Sequence, residues 1–320
     1  MSKWLIMLSP PRSFSSVIST MLGEHPDLYG FPELHIFTGD TVEAVIDEEM
    51  KTSRQRVSGP PGLIRTIAQL HDGIQTSGSC LRAIGWIQER RKWTTKQLTD
   101  YLADQVAPRI GIEKSPATAK KPQNLERAYA QHPDAFYLHL TRHPVSNRRS
   151  WQEFADNKSD RKPGQARASS RFDRYIGWYQ MHAQILDFTR TLPLGQYLRV
   201  KGEDILTAPD LYLRQICDWL GIRTDTAAIE AMKHPETSPY ACIGPDIARG
   251  GNDHKFMRDP VLRPGRVKEP SLVQSLEKDP PDWFPEESIR EAASRSGLRI
   301  ASHRQIADRI IEMAHYLGYT

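Results

Sequence analysis

The turn Ser9-Pro10-Pro11-Arg12-Ser13-Phe14-Ser15-Ser16 gathers groups that bind anions. Arg12 offers a fixed cation whose forked donors match phosphate or sulfate oxygens. Ser13, Ser15 and Ser16 offer hydroxyls and candidate N-cap oxygens for the helix that follows at 17–22. Backbone N–H groups at a helix start face outward, with the positive end of the macrodipole behind them, so strand, polar turn and helix together make an anion cradle. An ordinary capped helix start with an incidental arginine fits the same residues. A second such place lies at Arg142-His143-Pro144, where another apolar run meets another helix. Between them, Glu33 and His35 stand two residues apart. If 33–37 is extended, both side chains share a face and a site.

These residues need elements to hold them. Residues 3–8 form an apolar run of strand length, 109–118 a short strand entering a Ser-Pro turn, 136–141 an alternating strand, and 195–205 a strand with its exit turn. Helical patterns cover 124–133, 145–154, 174–192 and 207–222, the last with a threonine cap, an early proline and Gly221 at its end. Strands alternating with helices predict an α/β fold: three layers around a mostly parallel central sheet, with a P-loop-like turn. Ligands in such folds sit at the carboxyl ends of strands, where both anion turns fall. Residues 36–110 are expected to form a helical insertion that walls an acceptor pocket, with Thr94 or Thr95 capping the helix that Pro108 ends. The polar, basic stretch 155–172 reads as a mobile loop, 234–266 as a long ordered loop, and 257–320 as a C-terminal loop and helical tail ending in two helices. One domain spanning 1–320 is the expectation.

Composition narrows the function classes. With 320 residues, 38% hydrophobic and 26% charged, the chain suits a soluble globular protein. A net charge of +4 argues against a dedicated nucleic-acid binder and leaves room for a local basic site. Cys80, Cys217 and Cys242 are widely spaced and lack C-x-x-C, which favours reduced thiols and a cytoplasmic location. The apolar start is too short for a signal core or a membrane span. No metal-ligand spacing occurs, and no partner membrane is expected.

PPRSFSS followed by HPDLYGFPEL resembles the 5′-phosphosulfate loop and following segment of sulfotransferases that use 3′-phosphoadenosine 5′-phosphosulfate (PAPS), in particular bacterial and Golgi-type members with a glutamate base. A Walker A loop fits poorly, since no G-x-x-x-x-G-K-[ST] occurs. The resemblance implies that Arg12, Ser13, Phe14, Ser15 and Ser16 cradle the 5′ end of PAPS, and that Glu33, after the pair His25-Pro26, is the catalytic base. His35 is the rival base, as in cytosolic members. Arg142 and Ser150 match the family's arginine and serine for the 3′-phosphate, eight residues apart. EKSP at 113–116 implies a catalytic Lys114 near the bridging oxygen of the donor. ARGGNDHKF at 248–256 implies that Arg249, Gly250 and Gly251 close over the 3′-phosphate. Two positions depart from the pattern: Phe14 stands where glycine is usual, and Gly202 where a tyrosine contacts adenine. The implied reaction is in-line sulfuryl transfer to a hydroxyl or amine of a small-molecule or carrier-bound acceptor, with no metal. A P-loop-like small-molecule or nucleotide kinase and a non-catalytic nucleotide-binding relative are the alternatives.

Overall fold

The apolar runs become a five-stranded sheet in the computed structural model, which describes residues 3–52, 58–158, 169–263, 265, 267, 269–272 and 303–320. Strands β1 (Trp4–Leu8), β2 (Leu28–Gly30), β3 (Ile110–Glu113), β4 (Phe136–Thr141) and β5 (Tyr197–Lys201) lie in the order β2-β3-β1-β4-β5. Every neighbouring pair is parallel. All five residues of β1 are buried, as a central strand covered on both faces requires. Alternate side chains serve two cores: Trp4, Ile6 and Leu8 face one, Leu5 and Met7 the other.

The first core is closed by the segment between β2 and β3, helices α2 (Val42–Thr52), α3 (Pro61–Asp72), α4 (Ser77–Glu89) and α5 (Thr95–Val106), together with α6 (Pro122–Gln131). Helix α1 (Ser15–Gly23) lies on the opposite face. Thr94 caps α5 in a reciprocal box with Gln97. Helices α7 (Pro144–Lys158) and α8 (Ser169–Thr189) follow β4, and α9 (Gly202–Thr207), α10 (Pro209–Leu220) and α11 (Thr226–Ala231) follow β5. Late in the chain come α12 (His254–Arg258) and α13 (His303–Tyr316); α13 packs with α8 in a third apolar cluster.

Three expectations change in detail. β2 is a strand that sequence periodicity did not announce, because three residues are too few to display it. The exit turn after β5 is the helix α9, so Thr207 ends that helix and the residue flanking α10 is Ala208. Of the loop expected at 155–172, residues 155–158 belong to α7 and 169–172 to α8, while 159–168 lie outside the described residues, as does nearly all of the stretch for the first of the two tail helices.

β1 is the switch point of this topology: the chain crosses to β3 on one side and β4 on the other. Each strand delivers one group to the same end of the sheet. Arg12 follows β1, Glu33 follows β2, Lys114 follows β3, Arg142 follows β4 and Gly202 follows β5.

Candidate active site

A cleft of about 1060 Å³ opens at these strand ends, lined by Arg12, Glu33, His35, Arg142 and Ser150 among others. That volume suits a nucleotide-sized ligand. Its floor is the turn after β1. Two of its non-glycine residues, Arg12 (φ 69) and Phe14 (φ 63), take left-handed conformations. Phe14 therefore closes the turn in the geometry a glycine would supply, at a steric cost. It occupies the N-cap position of α1, and no side chain caps that helix. Of the serines expected as caps, Ser15 lines the cleft and the other two serve otherwise. Ser13 is fully buried and its Oγ accepts from Asn147 Nδ2 (3.2 Å), while Ser16 Oγ accepts from Lys114 Nζ (3.1 Å) and the Asp253 N–H (2.9 Å). A phenyl ring at the cap position leaves no oxygen there, so the start of α1 keeps its positive end unopposed by a side chain.

Arg12 donates from Nε to Ser150 Oγ (3.1 Å) and pairs through its guanidinium with Asp253. Ser150 thus bonds to the first arginine, whereas the guanidinium hydrogen bond of Arg142 goes to the Arg12 carbonyl. Arg142 in turn donates to the Arg12 carbonyl (2.7 Å), and its Cζ lies 4.0 Å from the Phe14 ring centroid. Its Nε has no partner among the described residues. Burial pulls the Arg142 pKa down to about 10, against the opposing pull of Glu203. At neutral pH it remains a cation, and a bound anion would relieve that desolvation.

Glu33 sits in a line of alternating charge. Its Oε1 accepts from Lys114 Nζ (3.0 Å), its Oε2 lies 3.6 Å from His35 Nε2, and His35 Nδ1 meets Glu49 Oε2 at 2.7 Å. The Lys114 side chain is 0% exposed and that of Glu33 27%. Burial pushes the Glu33 carboxyl up, but the Lys114 charge and the His35 hydrogen bond outweigh it and hold the pKa at about 2. Burial also disfavours the His35 imidazolium, yet Glu33 and Glu49 together raise its pKa to about 10. His35 itself is left-handed (φ 56), so 33–37 is not extended. The two side chains meet instead because the chain curls there, with the His35 N–H donating to Ser115 Oγ (2.8 Å).

These shifts predict a pH signature. A histidine raised above its ordinary 6.5 contributes stability that is whole below that pH and lost as pH rises through about 10. Glu33, depressed from 4.5 to about 2, contributes stability above 4.5 that fades as pH falls toward 2. The melting temperature of the wild type, compared with His35→Asn, is expected to lose its advantage between pH 6.5 and 10. Asparagine tolerates the left-handed backbone, so the comparison isolates the charge. A difference constant over that range would reject the imidazolium between two carboxylates.

The backbone of Glu33 is fixed from two sides. Its N–H donates to Gly251 O (2.6 Å), and a Cβ at Gly62 of α3 would lie 2.1 Å from its carbonyl oxygen. Only glycine allows α3 to approach that closely. The fully buried Arg65, also on α3, holds the Gly250 carbonyl (2.6 Å) and the Gln75 side chain (2.6 Å). Gly250 and Gly251 line the cleft, whereas Arg249 is exposed and outside its lining. Lys114 lies beneath the surface of the cleft, behind Ser16 and Glu33. His25 is away from the cleft: its Nδ1 accepts from the Asp27 N–H (3.0 Å), so Nε2 donates to Arg223 O (2.9 Å) and braces the turn after α1.

Four residues escaped the sequence reading. Asn147 ties α7 to the turn through Pro11 O (2.8 Å) and Ser13 Oγ; Asp253 pairs with Arg12; Glu49 anchors His35; and Arg65 fastens the late glycine loop. Asn147 and Asp253 fall inside motifs already singled out, and their polar side chains were the available signal. Glu49 and Arg65 belong to the helical segment and carry no local motif.

The two departures from the family pattern touch one another. A Cβ at Gly202 would lie 2.7 Å from Phe14 Cδ2, so the ring fills space that a side chain at 202 would claim. Among the described residues no group of three or more His, Cys, Asp or Glu could hold a metal ion, and no helix is long and apolar enough to cross a membrane.

The sulfotransferase domain from the Synechococcus PCC 7002 olefin synthase superposes with a TM-score of 0.69 at 23% identity, covering 99% of this chain and 94% of that one. The sulfotransferase domain from the curacin biosynthetic pathway superposes with a TM-score of 0.65 at 21% identity, covering 94% of this chain and 99% of that one. At such identities the likeness is one of fold. Comparison with curated proteins finds no match. The model of the sulfotransferase family matches residues 5–226, a span that takes in all five strands but for Trp4, and the strand-end groups from Arg12 to Gly202. The chain belongs to the sulfotransferase family.

Proposed function

We propose that the protein moves a sulfuryl group from PAPS to a hydroxyl or amine of a small-molecule or carrier-bound acceptor, with Glu33 as the base. The observation that carries this reading is the pair of guanidinium groups, Arg12 and Arg142, on one cleft with a carboxylate beside them. The donor set fits a nucleotide with anionic groups at two ends: Arg12 and the uncapped start of α1 suit the 5′ end, and Arg142 suits the 3′-phosphate. The acceptor oxygen or nitrogen attacks sulfur in line, the bond to the bridging oxygen breaks, and adenosine 3′,5′-bisphosphate leaves. As in phosphoryl transfer, the protein mainly positions groups and neutralises charge. Arg12 and the buried Lys114 supply positive charge near the leaving oxygen.

Glu33 is the better base of the two candidates. With a pKa near 10 between two carboxylates, His35 holds a proton on each ring nitrogen and has no lone pair to offer. Glu33 is ionised but weakened by Lys114 and His35. An anionic donor draws on the same lysine charge, which returns basicity to the carboxylate. Thr38, Glu49 and Pro61 of the insertion and Asp259, Val261 and Leu262 from the start of the tail line this cleft, which fits one domain over 1–320. Titration calorimetry tests the donor: adenosine 3′,5′-bisphosphate is expected to bind at least tenfold more tightly than ATP. Tighter binding of ATP would favour a kinase, and bisphosphate binding without transfer from labelled PAPS would favour a non-catalytic relative.

A further inference from the structure

We infer that Phe14 and Gly202 act as a reciprocal pair that positions the Arg142 guanidinium, and so set the preference of the cleft for a ligand carrying a 3′-phosphate. The inference rests on the reading of Arg142 given above. β4 lies between β1 and β5 in the sheet, and Arg142 rises from its end. The Phe14 side chain, from the turn after β1, lies beside Gly202, the first residue of α9 after β5. It therefore extends past the end of β4, with the Arg142 Cζ 4.0 Å from its centroid. The negative face of an aromatic ring attracts a guanidinium, most strongly where water is excluded.

Each partner in this stack depends on the other. Phe14 holds a left-handed backbone (φ 63) that a glycine would adopt without cost. Such strain persists where the surroundings over-determine it, and it clusters at functional sites. Position 202 has no room to spare: an added Cβ would meet Phe14 Cδ2 at 2.7 Å, the Thr141 carbonyl at 3.3 Å and Phe14 Cβ at 3.4 Å. Arg142 otherwise has one hydrogen bond from its guanidinium, to the Arg12 carbonyl. No salt bridge holds it among the described residues, so the ring supplies much of its fixed surroundings. A purely structural role would have the ring only fill apolar space beside the core that contains Leu140 and Ile205, against which it also packs.

Calorimetry on four proteins separates the two roles: wild type, Phe14→Leu, Gly202→Ala and the double variant. The quantity read is the ratio of affinities for adenosine 3′,5′-bisphosphate and adenosine 5′-monophosphate. Leucine keeps apolar bulk without a π face, so Phe14→Leu is expected to lower the ratio by about 5- to 30-fold. Gly202→Ala displaces the ring and is expected to lower it comparably. The double variant is expected to lose no more than the worse single, since both act through one contact. Equal weakening of both nucleotides in Phe14→Leu, or additive losses in the double variant, would overturn the positioning role. A wild type that shows no preference for the 3′-phosphate would overturn the assignment of Arg142 itself, before any variant is considered. Thermal unfolding checks each protein; should Gly202→Ala fail to fold, the ratio in Phe14→Leu decides alone.

Discussion

Glu33→Gln is expected to lower turnover by about 10²- to 10⁴-fold, the usual worth of a positioned general base. Affinity for adenosine 3′,5′-bisphosphate should stay within about threefold, because neither anion arm loses a donor. The substitution has a second effect that must be separated from the first. Lys114 is fully buried and, among the described residues, keeps Ser16 as its one other side-chain hydrogen-bond partner once the carboxylate is gone. Breaking a buried ion pair from one side costs about 3–5 kcal/mol, and the partial exposure of Glu33 places this case at the lower end. The melting temperature should therefore fall while the folded fraction at assay temperature still binds bisphosphate. Single-turnover transfer from labelled donor, read beside calorimetry on the same preparation, makes the distinction. Retained turnover would remove Glu33 from the chemistry, and lost bisphosphate affinity would make it a structural residue.

Arg142→Ala is the second large effect. Charge-assisted hydrogen bonds to a phosphate contribute about 1.5–3 kcal/mol, so bisphosphate affinity should fall by about 10- to 100-fold. Adenosine 5′-monophosphate, which lacks the group that Arg142 would hold, should lose much less. Equal weakening of both ligands would mean that Arg142 acts by supporting the Arg12 carbonyl, to which it donates, and not by holding the 3′-phosphate. Arg12→Ala provides the contrast, since both nucleotides share the 5′ end.

The sequence was most informative where a residue's role is set by its immediate neighbours in the chain. β1, β3, β4 and β5 announce themselves as apolar runs between polar turns, and the helices between β2 and β3 show clear periodicity and a capping box. Arg12 and Arg142 follow the ends of such runs, and with Glu33 they line one cleft. What escaped depends on distant residues. The Ser16 hydroxyl meets Lys114 and Asp253 across 98 and 237 residues, which no local cap rule describes. The pKa of Glu33 follows from a lysine 81 residues away. Phe14 looked like an obstacle to the turn, since a phenylalanine is disfavoured at positive φ. Its tolerance becomes intelligible only when Gly202, far along the chain, is seen beside it.

One group per strand end has a thermodynamic corollary. Arg12, Glu33, Lys114, Arg142 and Gly202 are scattered over almost two hundred positions and become neighbours only once the parallel sheet has assembled. No short fragment contains the complete set, so a ligand that occupies the cleft they frame selects the finished fold over the unfolded chain. Saturating ligand at a hundred times its dissociation constant then adds about 2.7 kcal/mol to unfolding. Occupancy of the cleft is thereby linked to survival of the whole chain against heat and proteolysis.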